Sequence, residues 1–203
     1  MLTLYHAPRS RSSRFLWLLE ELGTPYHIAL TSIVRRDGGE PAPESYRAIH
    51  PHLKVPAIDH DGEIVFESSA VTLYLTDTFR KNNLGPDFGE VGRADYLSWL
   101  AYSAGVIEPS ATARFNKMDT GDNAKAFVDW DDVEAYVART LEARPYVLGE
   151  KFSGADILIG SMLQFFKGNL LPERKVYDDY FARISARPAY IRAQEKDSGP
   201  RAL

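Results

Sequence analysis

Residues 53–70 decide the fold: Leu53-Lys54-Val55-Pro56-Ala57-Ile58-Asp59-His60-Asp61-Gly62-Glu63-Ile64-Val65-Phe66-Glu67-Ser68-Ser69-Ala70. Ala57-Ile58-Asp59 and Ile64-Val65-Phe66 flank Asp61-Gly62, the dipeptide of a tight two-residue turn, so the stretch reads as a β-hairpin. Pro56 opens its first strand. Proline has no backbone N–H and fixes its own φ, so at this place it marks an edge or a special turn. The bond before it is one where a cis peptide costs little. Glu67-Ser68 then leads into a helical run, with Val71, Leu73, Tyr74, Leu75 and Phe79 at helical spacing.

Working outward to the N-terminus, Leu2 to Tyr5 reads as a strand that Pro8 ends. Arg9-Ser10-Arg11-Ser12-Ser13 is a polar loop rich in helix-capping residues. Phe15, Leu16, Leu18, Leu19 and Leu22 follow at amphipathic spacing, and Gly23 is placed as the helix C-cap. Tyr26, Ile28 and Leu30 alternate as a second strand, completing a β-α-β unit. Residues 35–45 read as a loop and 44–49 as a short helix. Residues 1–80 therefore predict a small mixed sheet with helices against it.

Outward in the other direction the composition changes at Lys81-Asn82-Asn83-Leu84-Gly85-Pro86, a domain boundary. No strand pattern follows, and residues 87–203 predict an all-helical domain. Residues 88–118 read as one long helix broken or kinked at Pro109, 119–123 as a loop, and 124–143 as a helix with Phe127, Trp130, Val133, Val137 and Leu141 on one face. Ser153-Gly154-Ala155-Asp156 has the form of a capping box. The helix it opens, to Phe166, is apolar nearly all round, so it should be buried on every side at the domain's centre. Residues 173–186 and 188–195 predict two more helices, split at Arg187-Pro188, and Lys196 to Leu203 reads as a frayed tail.

Bulk properties exclude several functions. The 203-residue chain is 44% apolar, ample for a core, and carries 24 basic against 28 acidic residues for a net charge of -4. That balance argues against a nucleic-acid partner. With no cysteine, disulfides, thiolate metal sites and a cysteine nucleophile are excluded. His6, His50, His52 and His60 lack metal-ligand spacing and read as strand or loop residues. No apolar run approaches the length of a membrane span and no secretory pattern opens the chain, so the expected setting is the cytoplasm, with no membrane partner.

Four motifs in this order resemble the cytosolic glutathione transferases, in their serine-type, bacterial-like form, over essentially the whole chain. They are Pro8-Arg9-Ser10 with Trp17-Leu18-Leu19-Glu20-Glu21-Leu22-Gly23, then Lys54-Val55-Pro56-Ala57-Ile58, then Glu67-Ser68, then Ser153-Gly154-Ala155-Asp156. The resemblance implies a thioredoxin-like N-terminal domain followed by an all-helical domain, usually in a homodimer. It implies glutathione as substrate and no metal or redox cofactor. Val55, before a cis Pro56, would offer its main chain to the ligand's cysteinyl amide. Glu67 would face the ligand's ammonium, and Ser68, at a helix start, would receive a carboxylate. Lys54 would meet a carboxylate or support the loop.

The same resemblance implies that a hydroxyl of the first loop activates the thiol. Ser10, two residues after Pro8, holds the serine-type position, and Ser12 in the same crowded loop is its rival. The tyrosine-type position holds His6, and Tyr5 should point to the other face of its strand. Leu53 stands where the family often has glycine. Tyr102, Val106 and Phe115 along the long helix are candidates to line the site of a small apolar electrophile. Conjugation is the expected reaction. Non-catalytic binding of glutathione, or glutathione-dependent isomerase, dehalogenase or peroxidase chemistry, are the alternatives.

Overall fold

A computed structural model describes residues 1–35, 38–119 and 127–198. The chain forms two compact units. One takes Met1–Asn82 together with the chain from Arg187 onward, and the other takes Asn83–Ala186. The predicted division gave everything after residue 86 to the helical domain; the last helix instead packs in the first unit.

The first unit is built on a four-stranded sheet of order β2-β1-β3-β4, with β1 Leu2–His6, β2 His27–Leu30, β3 Ala57–His60 and β4 Glu63–Phe66. β1 runs parallel to β2 and antiparallel to β3, and β3 runs antiparallel to β4. The hairpin turn has Asp61 at φ 55° and Gly62 at φ 92°, the two positive values that a tight hairpin needs to match the strands' twist. Asp59 Oδ1 accepts the Gly62 N–H at 2.8 Å. Strand β1 alternates: Leu2, Leu4 and His6 are buried, Thr3 and Tyr5 half-buried. Tyr5 points away from His6 and packs on Tyr46, ring centroids 5.4 Å apart.

Helix α1, Ser13–Leu22, buries Phe15, Leu16, Trp17, Leu18, Leu19 and Leu22. Each such side chain contributes about 1.5–3 kcal/mol on full burial. An amphipathic helix on a sheet would bury one stripe; this one is covered further by α8, Pro188–Asp197. Gly23 closes α1 in the left-handed conformation, φ 61°, its N–H returning to Leu19 O at 3.0 Å. Between α1 and α8, Trp17 meets the Tyr190 ring edge-on at 4.9 Å. Arg187 grips Glu21 with two hydrogen bonds, 2.5 and 2.8 Å, and Glu20 accepts from Arg192 at 2.7 Å and from Lys196. The frayed tail expected from Lys196 is therefore corrected at its start: Lys196 is paired and Asp197 is buried, because they continue the charged seam of α8.

The second unit contains α3 Arg93–Tyr102, α4 Glu108–Phe115, α5 Trp130–Ala143, α6 Gly154–Phe166 and α7 Lys175–Ser185. The helix expected over 88–118 begins at Arg93, and α3 and α4 are joined through a wider π turn at Ser103–Ile107, where Glu108 N bonds Ser103 O. Pro109, lacking an N–H, cannot complete the ordinary ladder with residue 105, and the widened turn sits directly before it. Of the helix expected over 124–143, residues 124–126 lie outside the described residues, as do 120–123 of the preceding loop and 36–37 of the loop over 35–45. Helix α5 starts at Trp130, capped by Asp129, whose Oδ1 accepts from Asp131 N at 2.8 Å.

Helix α6 is the centre of this unit, with Ile157, Leu158, Ile159, Met162 and Leu163 all buried. A Cβ added at Gly160 would lie 2.6 Å from Ile184 of α7, so only glycine permits that approach. The all-round burial expected of α6 fails at Phe165, which is 77% exposed. The capping box is present and extended. Asp156 accepts from Ser153 N and Ser153 Oγ, each at 2.9 Å, from Val147 N at 2.9 Å and from Tyr180 Oη at 3.0 Å. Burial pushes its carboxyl up to about 6, against the pull of those donors. No helix among the described residues is long and apolar enough to cross a membrane.

Two outcomes follow for stability. Asp156→Ala strands three elements' worth of buried donors and is expected to cost about 3–5 kcal/mol in urea unfolding; a loss under about 1 kcal/mol would contradict the network. Burial raises the Glu20 carboxyl, but hydrogen bonds from Lys196, Arg192 and Tyr26 outweigh it and hold it below its ordinary value of 4.5. A depressed carboxyl stabilises the fold above its unfolded value and ceases to as pH falls through its folded one. The α1–α8 seam is therefore expected to loosen below about pH 4.5, read as a change in Trp17 fluorescence that Glu20→Gln flattens.

Candidate active site

The strand register gathers the predicted motifs at one end of the sheet. Tyr5 is paired with Ala57, and Ala57 with Phe66. The next residues outward are His6 leading into the Ala7–Ser12 loop, Pro56 with Val55 before it, and Glu67-Ser68. Adjacent strands lie about 4.8 Å apart, so the three segments span about 10 Å. The Val55–Pro56 peptide is cis, as the sequence suggested, and both residues are buried, while Lys54 is exposed. The Lys54 carbonyl accepts from Tyr46 Oη at 3.1 Å, which ties this segment to the short helix at Glu44–Ala48.

Helix α2, Ser68–Thr78, starts directly after Glu67. Glu67 is at φ 72° and ψ 132°, a region costly for any residue but glycine, and its side chain is 72% exposed. The backbone is thus bent so that a carboxylate projects into solvent beside the first free amides of a helix. Ser68 is half-buried at that start. His50, buried, lies under Phe66 with ring centroids 5.0 Å apart, and its Nε2 is 3.9 Å from Glu67 Oε1. Burial holds the His50 imidazole below its ordinary value, with Glu67 pulling the other way. His52 N donates to His50 Nδ1 at 3.2 Å, so the proton of the neutral ring sits on Nε2, toward Glu67.

The hydroxyl loop is fixed in detail. Ser12 is fully buried and Ser10 half-buried. Ser12 stands at the N-cap of α1, yet its hydroxyl makes no cap bond. It turns back instead, 2.8 Å from His6 Nδ1 and 2.8 Å from Ser10 Oγ, accepting from Ala7 N at 3.0 Å and placed to donate to Ala7 O at 3.2 Å. Ser10 Oγ accepts from Ser12 N at 3.1 Å. Arg9 adopts φ 55°, and its N–H is held by Asp197 at 3.0 Å. Arg35 donates to the carbonyls of Pro8 and Arg9. Asp197 also accepts from Ser13 Oγ at 2.8 Å, and Ser13 Oγ accepts from Ser10 N at 3.1 Å. Burial raises the Asp197 carboxyl, but donors from His6, Arg9 and Ser13 outweigh it and leave it below its ordinary value.

Of the residues expected along the long helix, Tyr102 and Val106 lie one turn apart on one face and are half-buried. Phe115 is exposed and nine residues beyond Val106, which is roughly half a turn round the helix. The three therefore do not form one lining. Tyr102 belongs to an aromatic cluster, 5.7 Å from Trp99 and 5.5 Å from Tyr136 by ring centroids.

Residues 4–83 match the glutathione S-transferase N-terminal domain family. The chain is 28% identical to glutathione S-transferase 3 of Schizosaccharomyces pombe, over 77% of this chain and 70% of that one. A solved glutathione S-transferase of Actinobacillus pleuropneumoniae superposes with a TM-score of 0.81 at 29% identity, covering 98% of this chain and 94% of the other. The theta class enzyme of Xanthomonas axonopodis pv. citri, solved with glutathione bound, gives 0.75 at 25% identity, covering 95% and 96%. These findings support the glutathione transferase family for this chain. The fold is a thioredoxin-like N-terminal sheet with helices, followed by a helical region, as in those transferase structures.

From the sequence, His6 and His50 read as strand or loop residues and Asp197 carried no role, yet His6 and Asp197 contact the hydroxyl loop and His50 lies beside Glu67. His6 had a signal in the sequence, lying two residues before Pro8 at the end of the first strand. Asp197 had none, being 184 residues from Ser13. The unusual Leu53 has a backbone explanation: it sits at φ 53°, where an L-residue is about 1–2 kcal/mol above its ordinary conformations and glycine is at ease. Leu53→Gly is expected to leave the urea midpoint unchanged or raised. Leu53→Val, β-branched at a positive φ, is expected to lower stability by about 1–2 kcal/mol; the reverse order would rule out the backbone explanation.

Proposed function

We propose that the protein is a glutathione transferase of the serine type, in which the thiolate of glutathione attacks a small apolar electrophile. The observation that carries this reading is the convergence of the hydroxyl loop, Val55–Pro56 and Glu67–Ser68 at one end of the sheet. Glutathione is an extended peptide with two carboxylates and one ammonium. Val55 offers backbone to its central amide. The start of α2 at Ser68 offers free amides and a favourable dipole to the γ-glutamyl carboxylate, while Glu67 takes the ammonium and the exposed Lys54 a carboxylate.

The chemistry is activation of the thiol. A free thiol ionises near 8.5 and only its thiolate is a strong nucleophile. Lowering that value by about two units is worth about 2.7 kcal/mol of preference for the anion, within reach of one hydroxyl donor at a helix N-terminus. Burial divides the two candidates: Ser10 is reachable from solvent and Ser12 is not. Ser10 therefore takes the contact with sulfur, and Ser12 acts behind it. The half-buried aromatic cluster of Trp99, Tyr102 and Tyr136, with Val106, is the electrophile's apolar surface in the helical unit. A homodimer and a cytoplasmic setting belong to the same proposal.

Retention on immobilised glutathione together with turnover of chlorodinitrobenzene is the direct test. Binding without turnover would make this a glutathione-binding protein, and no binding would sink both readings. Ser10→Ala is expected to lower turnover at least about tenfold with little change in glutathione affinity. Full activity in that variant would reject Ser10 as the sulfur's partner.

A further inference from the structure

We propose that His6, held by Asp197 of the last helix, is the terminus of a proton relay that runs from the ligand's thiol through Ser10 and Ser12. The proposal rests on the reading that Ser10 meets the glutathione sulfur. Its own basis is the row of contacts behind that hydroxyl. Ser10 Oγ to Ser12 Oγ is 2.8 Å, Ser12 Oγ to His6 Nδ1 is 2.8 Å, and His6 Nε2 to Asp197 Oδ1 is 3.2 Å. His6 is 1% exposed and Ser12 fully buried, so water does not break the row.

Hydrogen-bond accounting fixes its direction. Asp197 is an ionised acceptor, already receiving Arg9 N and Ser13 Oγ, and is the charged group the structure sets against His6. The nitrogen facing a carboxylate carries the proton, so Nε2 is protonated and Nδ1 is an acceptor. Although 3.2 Å from Asp197 Oδ1, Nε2 makes no full hydrogen bond in the free protein; catalytic contacts often tighten only when the substrate arrives. A hydroxyl has one hydrogen and two lone pairs. Ser12 has one hydrogen for two acceptors, Ala7 O at 3.2 Å and His6 Nδ1 at 2.8 Å, and the nearer takes it. Ser12 also receives Ala7 N–H, so the remaining bond is donated by Ser10. Every hydroxyl hydrogen points inward, and Ser10 shows the ligand a lone pair.

That polarity suits a thiol, not yet a thiolate. As the S–H bond breaks, its proton forms a new O–H on Ser10. The former Ser10 hydrogen passes to Ser12, and the former Ser12 hydrogen to His6 Nδ1. One proton leaves sulfur and one arrives on the imidazole, with no net change in charge or electrons. The row is then reversed throughout: His6 donates to Ser12, Ser12 to Ser10, and Ser10 to the thiolate. The imidazolium is stabilised by the Asp197 carboxylate. Ser12 is no hydrolytic nucleophile here, since its buried oxygen is spent on Ala7, Ser10 and His6. His6 and Asp197 are positioning and proton-holding groups that do not touch the substrate.

The test labels the histidines of the full chain with nitrogen-15 and assigns His6 by loss of its signal in His6→Asn. In the free protein Nδ1 is expected unprotonated and Nε2 protonated. Saturating glutathione, as the ultraviolet absorbance of bound thiolate appears, is expected to protonate Nδ1. S-methylglutathione, which has no thiol proton, is expected to bind without doing so. Asp197→Asn is expected to raise the apparent pKa of the bound thiol by about one unit, a tenfold loss of thiolate at neutral pH. Glutathione affinity stays within about twofold, and the conjugation rate recovers as the pH is raised. Should Asp197→Asn not fold, Ser12→Ala cuts the same row and is read in the same way. Thiolate on the wild-type protein with His6 Nδ1 still unprotonated, or an unmoved thiol pKa in these variants, overturns the relay alone. No thiolate on the wild-type protein overturns the transferase reading and the relay with it.

Discussion

The antiparallel register of β1 with β3 and of β3 with β4 is the constraint on which the site depends. Tyr5 opposite Ala57 and Ala57 opposite Phe66 put three loop junctions, the first far from the other two in the chain, at one sheet end. Slipping any pair by one residue would turn every side chain of that strand to the other face. The alternation of β1, with Leu2, Leu4 and His6 buried and Thr3 and Tyr5 half-buried, opposes the slip. Hydrophobic burial thus sets the position of polar groups that themselves contribute little to folding.

Around that frame the first unit is completed by its own C-terminus. Helix α8 lies on α1 through Trp17, Glu20 and Glu21, and Asp197 reaches the hydroxyl loop. A loop of successive polar residues would ordinarily leave backbone groups to solvent. Here Asp197, Arg35 and the loop's own serines satisfy them. The result is a half-buried hydroxyl, Ser10, whose orientation is governed by groups it does not itself bury. The strained φ values at Arg9, Leu53 and Glu67 fall in the three segments that meet at the sheet end, which is where unfavourable backbone conformations are commonly kept for use.

Much of this was legible beforehand. Asp61-Gly62 between alternating apolar residues specified the hairpin, Gly23 the end of α1, and Ser153 with Asp156 the start of α6, because each rests on local backbone chemistry. Lys54 to Pro56, Glu67 and Ser68 carried the ligand reading through their resemblance to a family's motifs, from which Leu53 departed. The tail misled because Lys196 and Asp197 look like solvated charge until Glu20 and the hydroxyl loop are brought to them. Phe115 misled because its distance from Val106 places it round the helix, and a list of apolar residues carries no angle. The π turn at Ser103–Ile107 replaced a simple kink because the chain can widen a turn to accommodate Pro109 without losing the helix.

By itself the sequence determined the strands and the hairpin turn of the first unit, the end of α1, the start of α6 and the all-helical character of the second unit. These depend on periodicity and on residues at most a few positions apart. Only the tertiary structure decided which hydroxyl is reachable, that His6 lies behind it, and that Asp197 anchors the loop. Those facts follow from burial and from contacts between residues up to 188 positions apart, which one-dimensional spacing does not contain.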